Sequence, residues 1–223
     1  MEWWQILLII LGSLVIAFVL VIAFYKHFAK RLCEIIGSFI LLSLLWLPML
    51  IVAIVVKCDS KGPALFKQKR LGRNKKQFNI IKFRTMCDHA YEQGGIASSE
   101  EDSRITKVGK FLRKTSLDEL PQLINIFLGQ MSVIGPRPVL DWEYEEYAKE
   151  EYNPRFKVRP GMFCTVDVKY RASAPRDLQF QMDAEYAKKM SLTLDVKTFF
   201  GVIKTVISGK NVYKEENKED GKN

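Results

Sequence analysis

Two uncharged stretches near the amino end constrain this chain more than any other feature. Trp3 to Tyr25 is 23 residues without a charge, and Ile35 to Val56 is another 22. Runs this long approach the ~20 apolar residues that a helix needs to cross a bilayer. They exclude a simple soluble globule and leave about 170 residues for a water-facing part, within the usual size of one domain. Four cysteines in 223 residues are too sparse for a small disulfide scaffold. They show neither a C-x-x-C pair nor zinc spacing, and Cys33 and Cys58, at or in the apolar segments, are expected to pack there. His27 and His89 are far apart and near no nucleophile, so a Ser-His-Asp or Cys-His mechanism is not expected. Catalysis here would run on carboxylates, basic side chains and a metal ion.

Charge is as uneven as hydrophobicity. Residues 1–56 carry net +1, residues 57–115 net +9 and residues 116–223 net −1. A basic block beside a membrane segment is first a binder of phospholipid headgroups and second a pocket for a phosphorylated ligand. Nucleic acid is not expected as a partner, because few aromatic residues accompany the block to stack bases.

The first apolar run has only Glu2 charged before it, with Lys26, His27, Lys30 and Arg31 after it. The excess of basic residues puts its carboxyl end in the cytoplasm. It lacks the basic start and small-residue cleavage site of a signal peptide, so a retained anchor over residues 1–29 is expected. The second run, within residues 30–57, has basic residues on both flanks, and a simple crossing would place one flank wrongly. Pro48 removes a helical hydrogen bond, and a helix over 35–46 would rise only ~18 Å. Two solutions stay open: a re-entrant helix that breaks near Leu47-Pro48, with Ser43 satisfying a freed carbonyl, or a kinked full span.

Residues 58–212 read as the soluble domain. Ala64-Leu65-Phe66 and Phe78 to Ile81 are expected as short strands joined by the basic loop Gly72 to Lys76. Residues 88–103 look like a mobile loop, and Val108, Phe111 and Leu112 form a helix face. Another helix, with an apolar face of Leu120, Leu123, Ile124 and Phe127, is stopped by Gly129. It starts either with Asp118 as its cap or with a capping box of Ser116 and Glu119. Either start places Asp118 and Glu119 at a helix amino end, where the dipole favours anions and keeps Asp118 ionised. Two acids at a helix start are also commonplace. Gly135-Pro136-Arg137-Pro138 and Arg159-Pro160-Gly161 are rigid turns, each presenting an arginine that suits phosphate or lies idle on the surface. The acidic run Asp141 to Glu151 reads as a solvated helix face, and residues 213–223 as a disordered charged tail.

These residues together resemble the bacterial sugar transferases, the monotopic polyprenol-phosphate phosphoglycosyl transferases. The likeness runs from Lys30-Arg31 to about Val212. It rests on Ser60 to Pro63, Gln68 to Gly72, Lys82 to Met86, Thr115 to Leu123, Gly129 to Ser132, Gly135 to Pro138 and Arg159 to Gly161. No one of these stretches is specific; all of them in this order are. The resemblance implies a helix-rich, membrane-associated α/β fold. Its parts would be an N-terminal transmembrane helix, a re-entrant broken helix, interfacial amphipathic helices and a small catalytic domain with a short β-hairpin. That domain would lie on the cytoplasmic face of the bacterial inner membrane.

The implied reaction moves a sugar 1-phosphate from a UDP-sugar to undecaprenyl phosphate, giving undecaprenyl-diphosphate-sugar and UMP, as the first membrane step of surface-polysaccharide or glycoconjugate assembly. Asp118 would be the nucleophile, forming a phosphosugar–aspartyl intermediate, and Glu119 the ligand of Mg²⁺, with Mn²⁺ as a substitute. Lys82, Arg84, Arg113, Arg137, Arg171 and Asp183 match family positions for phosphate or nucleotide-sugar binding. A homodimer and downstream glycosyltransferases would be further partners. The chain departs from the family at Met162 to Tyr170, where a Gly-Trp-Ala-Gln-like stretch is usual, and at Leu47 and Glu34, where Ser and Asp are usual. Glu34 keeps the charge and is expected to pair with Arg31. Two other readings are a scaffold that binds anionic lipid and a metal-dependent lipid-phosphate hydrolase that releases sugar phosphate.

Overall fold

The computed structural model describes residues 2–90, 102–147, 149–170 and 173–208. Arg171, most of the expected mobile loop and the charged tail lie outside the described residues. Helix α1 (Trp3–Phe24) passes through a wider turn at Tyr25–Ala29 into α2 (Lys30–Asp59). Among the described residues α2 is long and apolar enough to cross a membrane, at 1.5 Å per residue about 45 Å of helix.

Pro48 does not break α2, which is continuous from Lys30 to Asp59. The expected interruption at Leu47-Pro48 is therefore corrected to a proline held inside one helix. A proline removes a single ladder hydrogen bond, and packing on both sides of it opposes a break. Leu42 and Leu45 before it, and Met49, Val52, Ala53 and Val56 after it, all pack on the domain below. Ser43 does not serve the freed carbonyl either; its hydroxyl donates back to the Phe39 carbonyl at 2.9 Å. With Glu34 and Ser38, the packed residues recur every three or four positions and form one stripe. The other side of α2 exposes Ile36, Phe39, Ile40, Leu44, Leu47, Leu50, Ile51 and Ile54. Cys33 and Cys58 are exposed too, contrary to the packing role expected of them.

Both ends of α2 are tied to the same domain. At the start, Lys30 Nζ donates to Asp195 Oδ2 (2.7 Å), the Tyr186 hydroxyl (2.8 Å) and the Ile134 carbonyl (2.7 Å). Arg31 donates to the carbonyls of Ile126 (2.6 Å) and Phe127 (2.9 Å). Glu34 accepts from the Ser132 hydroxyl and the Val133 N–H. The expected Arg31–Glu34 pair is thus not made: each side chain serves a separate backbone segment. At the far end, Arg84 Nη2 donates to the Ser60 carbonyl at 2.7 Å.

The hairpin is longer than its apolar cores suggest. Strands β1 (Leu65–Leu71) and β2 (Gln77–Phe83) pair antiparallel, because the lysines of β1 point outward and do not end the strand. The basic loop is the turn, with Asn74 (φ 56°) and Lys75 (φ 59°) left-handed. Helix α3 (Lys107–Thr115) and α4 (Gln122–Phe127) follow. Leu112 is buried in α3 while Phe111 stays exposed. On the α4 side Leu123 and Ile126 are buried, and Phe127 faces out. The stop at Gly129 is observed, with φ 80°.

A second sheet pairs β3 (Ser132–Ile134) parallel to β4 (Gly161–Phe163), with α5 (Asp141–Tyr147) between them in sequence and α6 (Arg176–Lys189) and α7 (Leu192–Ser208) after. One core gathers Leu71, Val139, Tyr152, Phe156 and Phe180. Most of the acidic run is exposed, as expected. Glu143, however, is 1% exposed and is held by Arg176 at 2.9 Å.

Where β4 begins, it nearly touches the backbone just after β3, since a Cβ on Gly161 would lie 2.1 Å from the Gly135 nitrogen. Gly161→Ala must push the strands apart, and overpacking of this kind costs ~1–3 kcal/mol. The expected result is a lowered unfolding midpoint for the detergent-purified variant. An unchanged midpoint would mean that the strands part freely.

Candidate active site

The Asp118–Glu119 pair sits in a connection, not in a long helix. Ser116, left-handed at φ 57°, closes α3 by donating its N–H to the Arg113 carbonyl at 3.3 Å. One tight turn, Leu117–Glu119, follows, and α4 begins only at Gln122 with Pro121 capping it. Both starts expected from the sequence are therefore corrected. The Glu119 N–H is taken by the Ser116 carbonyl at 3.2 Å, which folds the pair into the turn.

That placement leaves Asp118 ionised at neutral pH but removes the stabilisation expected for its charge. Burial pushes its carboxyl up to about 6, although Lys82 and Arg113 oppose the shift and Glu119 adds to it. Desolvation outweighs the nearby cations, and without a helix start the pair lacks the dipole that would hold it fully ionised. Lys82, on β2, places Nζ 2.5 Å from Glu119 Oε1. Arg113 Nε donates to Thr85 Oγ1 at 2.9 Å from within electrostatic reach of Asp118. Beside them opens a pocket lined by Arg70, Lys82, Glu119, Gln122, Arg137, Met162 and Cys164.

Arg137 is presented as the Pro-rich turn suggests. Its N–H donates to Asp183 Oδ2 (3.2 Å), its carbonyl accepts from Arg155 (2.7 Å), and its guanidinium stands 3.9 Å from Asp167 Oδ1. Asp183 itself is 0% exposed and bound to Arg155 at 2.7 Å. The structure makes it a strut under the Arg137 turn, away from any ligand surface. Burial raises its carboxyl to about 7, with Arg155 opposing.

Arg84 is also placed elsewhere. It is buried at the end of α2, where it donates to Ser60 and to the Val56 carbonyl, and a Cβ on Gly62 would meet its Nη1. Arg159 spends its Nε on the Gly129 carbonyl at 2.9 Å. The structure thus brings together Asp118, Glu119, Lys82, Arg113 and Arg137, and leaves Arg84, Asp183 and Arg159 outside the group.

Two pocket residues escaped the sequence reading. Arg70 is held by Gln68 (2.7 Å) and the Pro138 carbonyl (3.1 Å); its strand position was hidden by reading β1 too short. Gln122 is 2% exposed, and its Nε2 has no hydrogen-bond partner among the described residues. A buried donor without a partner calls for an explanation, and a ligand oxygen in the pocket would supply one. Its signal was a polar residue directly after Pro121 in an otherwise apolar turn. The divergent stretch reaches this site as well: Met162 and Cys164 form its wall, and Asp167 caps the Cys164 N–H at 2.9 Å.

No group of three or more His, Cys, Asp and Glu side chains able to hold a metal occurs among the described residues. Mg²⁺ does not need one, since it commonly binds through one or two carboxylates, substrate phosphates and water. The adjacent Asp118 and Glu119 beside a cation-lined pocket fit that pattern.

Residues 25–209 match the family described as bacterial sugar transferase. The chain is 37% identical over 187 residues to a UDP-N-acetylgalactosamine-undecaprenyl-phosphate N-acetylgalactosaminephosphotransferase of Aeromonas hydrophila, covering 82% of this chain and 44% of that protein. It is 38% identical over 191 residues to a UDP-glucose:undecaprenyl-phosphate glucose-1-phosphate transferase of Klebsiella pneumoniae, covering 82% of this chain and 41% of that one. An exopolysaccharide production protein PSS of Rhizobium leguminosarum bv. phaseoli is 37% identical over 186 residues, covering 78% of this chain and 92% of that one. The chain therefore spans less than half of the first two relatives and nearly all of the third.

Proposed function

The chain belongs to the bacterial sugar transferase family, and from that premise we propose that it transfers a sugar 1-phosphate from a UDP-sugar to undecaprenyl phosphate, releasing UMP. The observation that carries the proposal is the ion pair of Lys82 with Glu119 directly beside a half-buried Asp118, at the mouth of a pocket that also holds Arg70 and Arg137.

In the first half-reaction an Asp118 oxygen attacks the sugar-bearing phosphorus of the donor. The bond from that phosphorus to the bridging oxygen breaks, and UMP leaves with the electron pair. In the second, an oxygen of the lipid phosphate attacks the same phosphorus and frees Asp118. Splitting the exchange lets two bulky substrates use one site in turn. Lys82, Arg113, Arg137 and Arg70 neutralise phosphate charge where it develops, and Gln122 offers a neutral donor. Glu119, with the donor diphosphate, would hold Mg²⁺, which when bound adds positive charge at the reacting phosphoryl group.

The reading places the chain on the cytoplasmic face of a bacterial inner membrane, with α1 as anchor and α2 entering and returning on one side through a bend of its axis at Pro48 that leaves the helix continuous. Support for the last point is that Lys30 and Ser60, at opposite ends of α2, are both tied to one domain. Mn²⁺ in place of Mg²⁺, a homodimer and hand-off to later glycosyltransferases of the pathway belong to the same proposal.

The test is UMP release by the detergent-purified chain with undecaprenyl phosphate and Mg²⁺ across a panel of UDP-sugars. Release with one donor, dependent on the lipid, is the expected result. UMP release that proceeds without lipid, with free sugar phosphate as product, would replace transfer by hydrolysis. The relatives use different sugars by name, and the wall formed by Met162 and Cys164 differs from the family pattern. Donor choice is therefore expected to change in Met162 and Cys164 variants before it changes elsewhere.

A further inference from the structure

A second basic cleft lies at the start of α2, sharing no lining residue with the Asp118 pocket. Its walls include Arg31, Glu34, Arg73, Lys157 and Arg159, drawn from α2, the hairpin turn and the approach to β4. Five cations line it: Lys30 is paired with Asp195 at 2.7 Å, and no carboxylate among the described residues lies within ion-pair distance of the other four. The one acid in the wall, Glu34, is already occupied by Ser132 and the Val133 N–H. Burial lowers the Arg159 guanidinium, and the charges of Arg31 and Arg73 push it further the same way. Grouping like charges at a half-buried site is unfavourable unless an anion neutralises them.

The surroundings identify the anion. Arg31 bonds the carbonyl of Phe127, and Phe127 and Leu128 are 39% and 62% exposed beside it. The Phe127 ring lies 6.2 Å from that of Phe39, so the cleft opens onto the exposed apolar face of α2. A free phosphate has no use for that rim, whereas a lipid has both a phosphate and acyl chains.

We propose that Arg31, Arg73, Lys157 and Arg159 form a cradle for the headgroup of one anionic bilayer phospholipid, separate from the acceptor lipid. It rests on the membrane placement proposed above and adds a fixed lipid contact at the end of α2 opposite Ser60. A bound headgroup there sets how deep α2 sits, and so the height of the domain above the bilayer.

The experiment uses the full chain in detergent, incubated with equal amounts of phosphatidylglycerol and phosphatidylcholine, and reads the retained lipid by native mass spectrometry. Phosphatidylglycerol is expected to remain, one per chain. Arg73→Gln/Lys157→Gln should lower its retention by about thirtyfold, from about fivefold per basic residue near a lipid surface. Both side chains are exposed and make no hydrogen bond or ion pair among the described residues, so folding is not at stake. Lys188→Gln/Lys197→Gln removes the same charge elsewhere and should retain the lipid.

No preference for phosphatidylglycerol, or equal loss in the control variant, would overturn the cradle in favour of general attraction. Displacement of the lipid by millimolar inorganic phosphate alone would overturn it in favour of a free-anion site. UMP release is followed in the same preparations. A raised KM for undecaprenyl phosphate in Arg73→Gln/Lys157→Gln, with phospholipid retention unchanged, would reassign the cleft to the acceptor. Failure of the cradle therefore leaves the transferase reading separately readable.

Discussion

Asp118→Asn is expected to abolish UMP release, lowering turnover by about a thousandfold or more, while the protein stays folded. Loss of a nucleophile removes the covalent route altogether, and effects of this kind are commonly that large. Asparagine keeps the size and shape of the side chain but cannot form the acyl-phosphate bond. The fold should tolerate the change because the carboxylate is not held by a strong partner. Its carboxyl is raised from 3.8 to about 6, mainly by burial. A raised acid contributes stability only below its unfolded value and loses it as pH rises through about 6. At neutral pH the ionised Asp118 therefore costs stability, and removing its charge leaves the unfolding midpoint unchanged or higher. The decisive measurement pairs UMP release with thermal unfolding of the same sample. A well-folded Asp118→Asn enzyme with substantial activity would sink the covalent route and leave direct attack by the lipid phosphate.

Parts of this structure were readable because local chemistry fixes them. In the Gly72 to Lys76 turn Asn74 readily accepts the left-handed backbone it adopts, and Gly129 ends its helix in the same region. The Asp-Glu pair with Lys82, Arg113 and Arg137 was legible through the resemblance, and the structure does gather those five. What failed depended on contacts distant in sequence. Pro48 looks like a break until α2 is seen packed on both sides of it. Arg31 and Glu34 look like partners three residues apart, yet each is claimed by backbone about a hundred residues away. Glu143 reads as one more solvated acid in an acidic run, and Arg70 and Arg176, from β1 and α6, with the Leu140 N–H, explain its burial. Charge in a sequence marks where an ion is, not which side of it faces water.

Asp183 shows the consequence most sharply, since its family position suggests a ligand contact and its surroundings require a structural one. With Asp183 0% and Arg155 2% exposed, the two form a buried pair at 2.7 Å, and the same carboxylate oxygen receives the Arg137 N–H. Asp183→Ala leaves the Arg155 guanidinium over the Phe180 ring at 4.0 Å with no counter-charge in contact. Breaking one partner out of a buried pair costs ~3–5 kcal/mol, a large share of the ~5–15 kcal/mol that holds a typical domain folded. The expected result is a steep fall in the unfolding midpoint of the purified variant, accompanied by reduced yield. Asp183→Asn, which keeps an oxygen for the Arg137 N–H and the Arg155 guanidinium, should lose much less. A ligand-binding role predicts the opposite pattern: normal stability in both variants and a raised KM for the UDP-sugar. If Asp183→Ala unfolds at the wild-type midpoint but needs far more donor, Asp183 returns to the binding site. If stability falls first, Asp183 acts on the reaction only through the turn that carries Arg137.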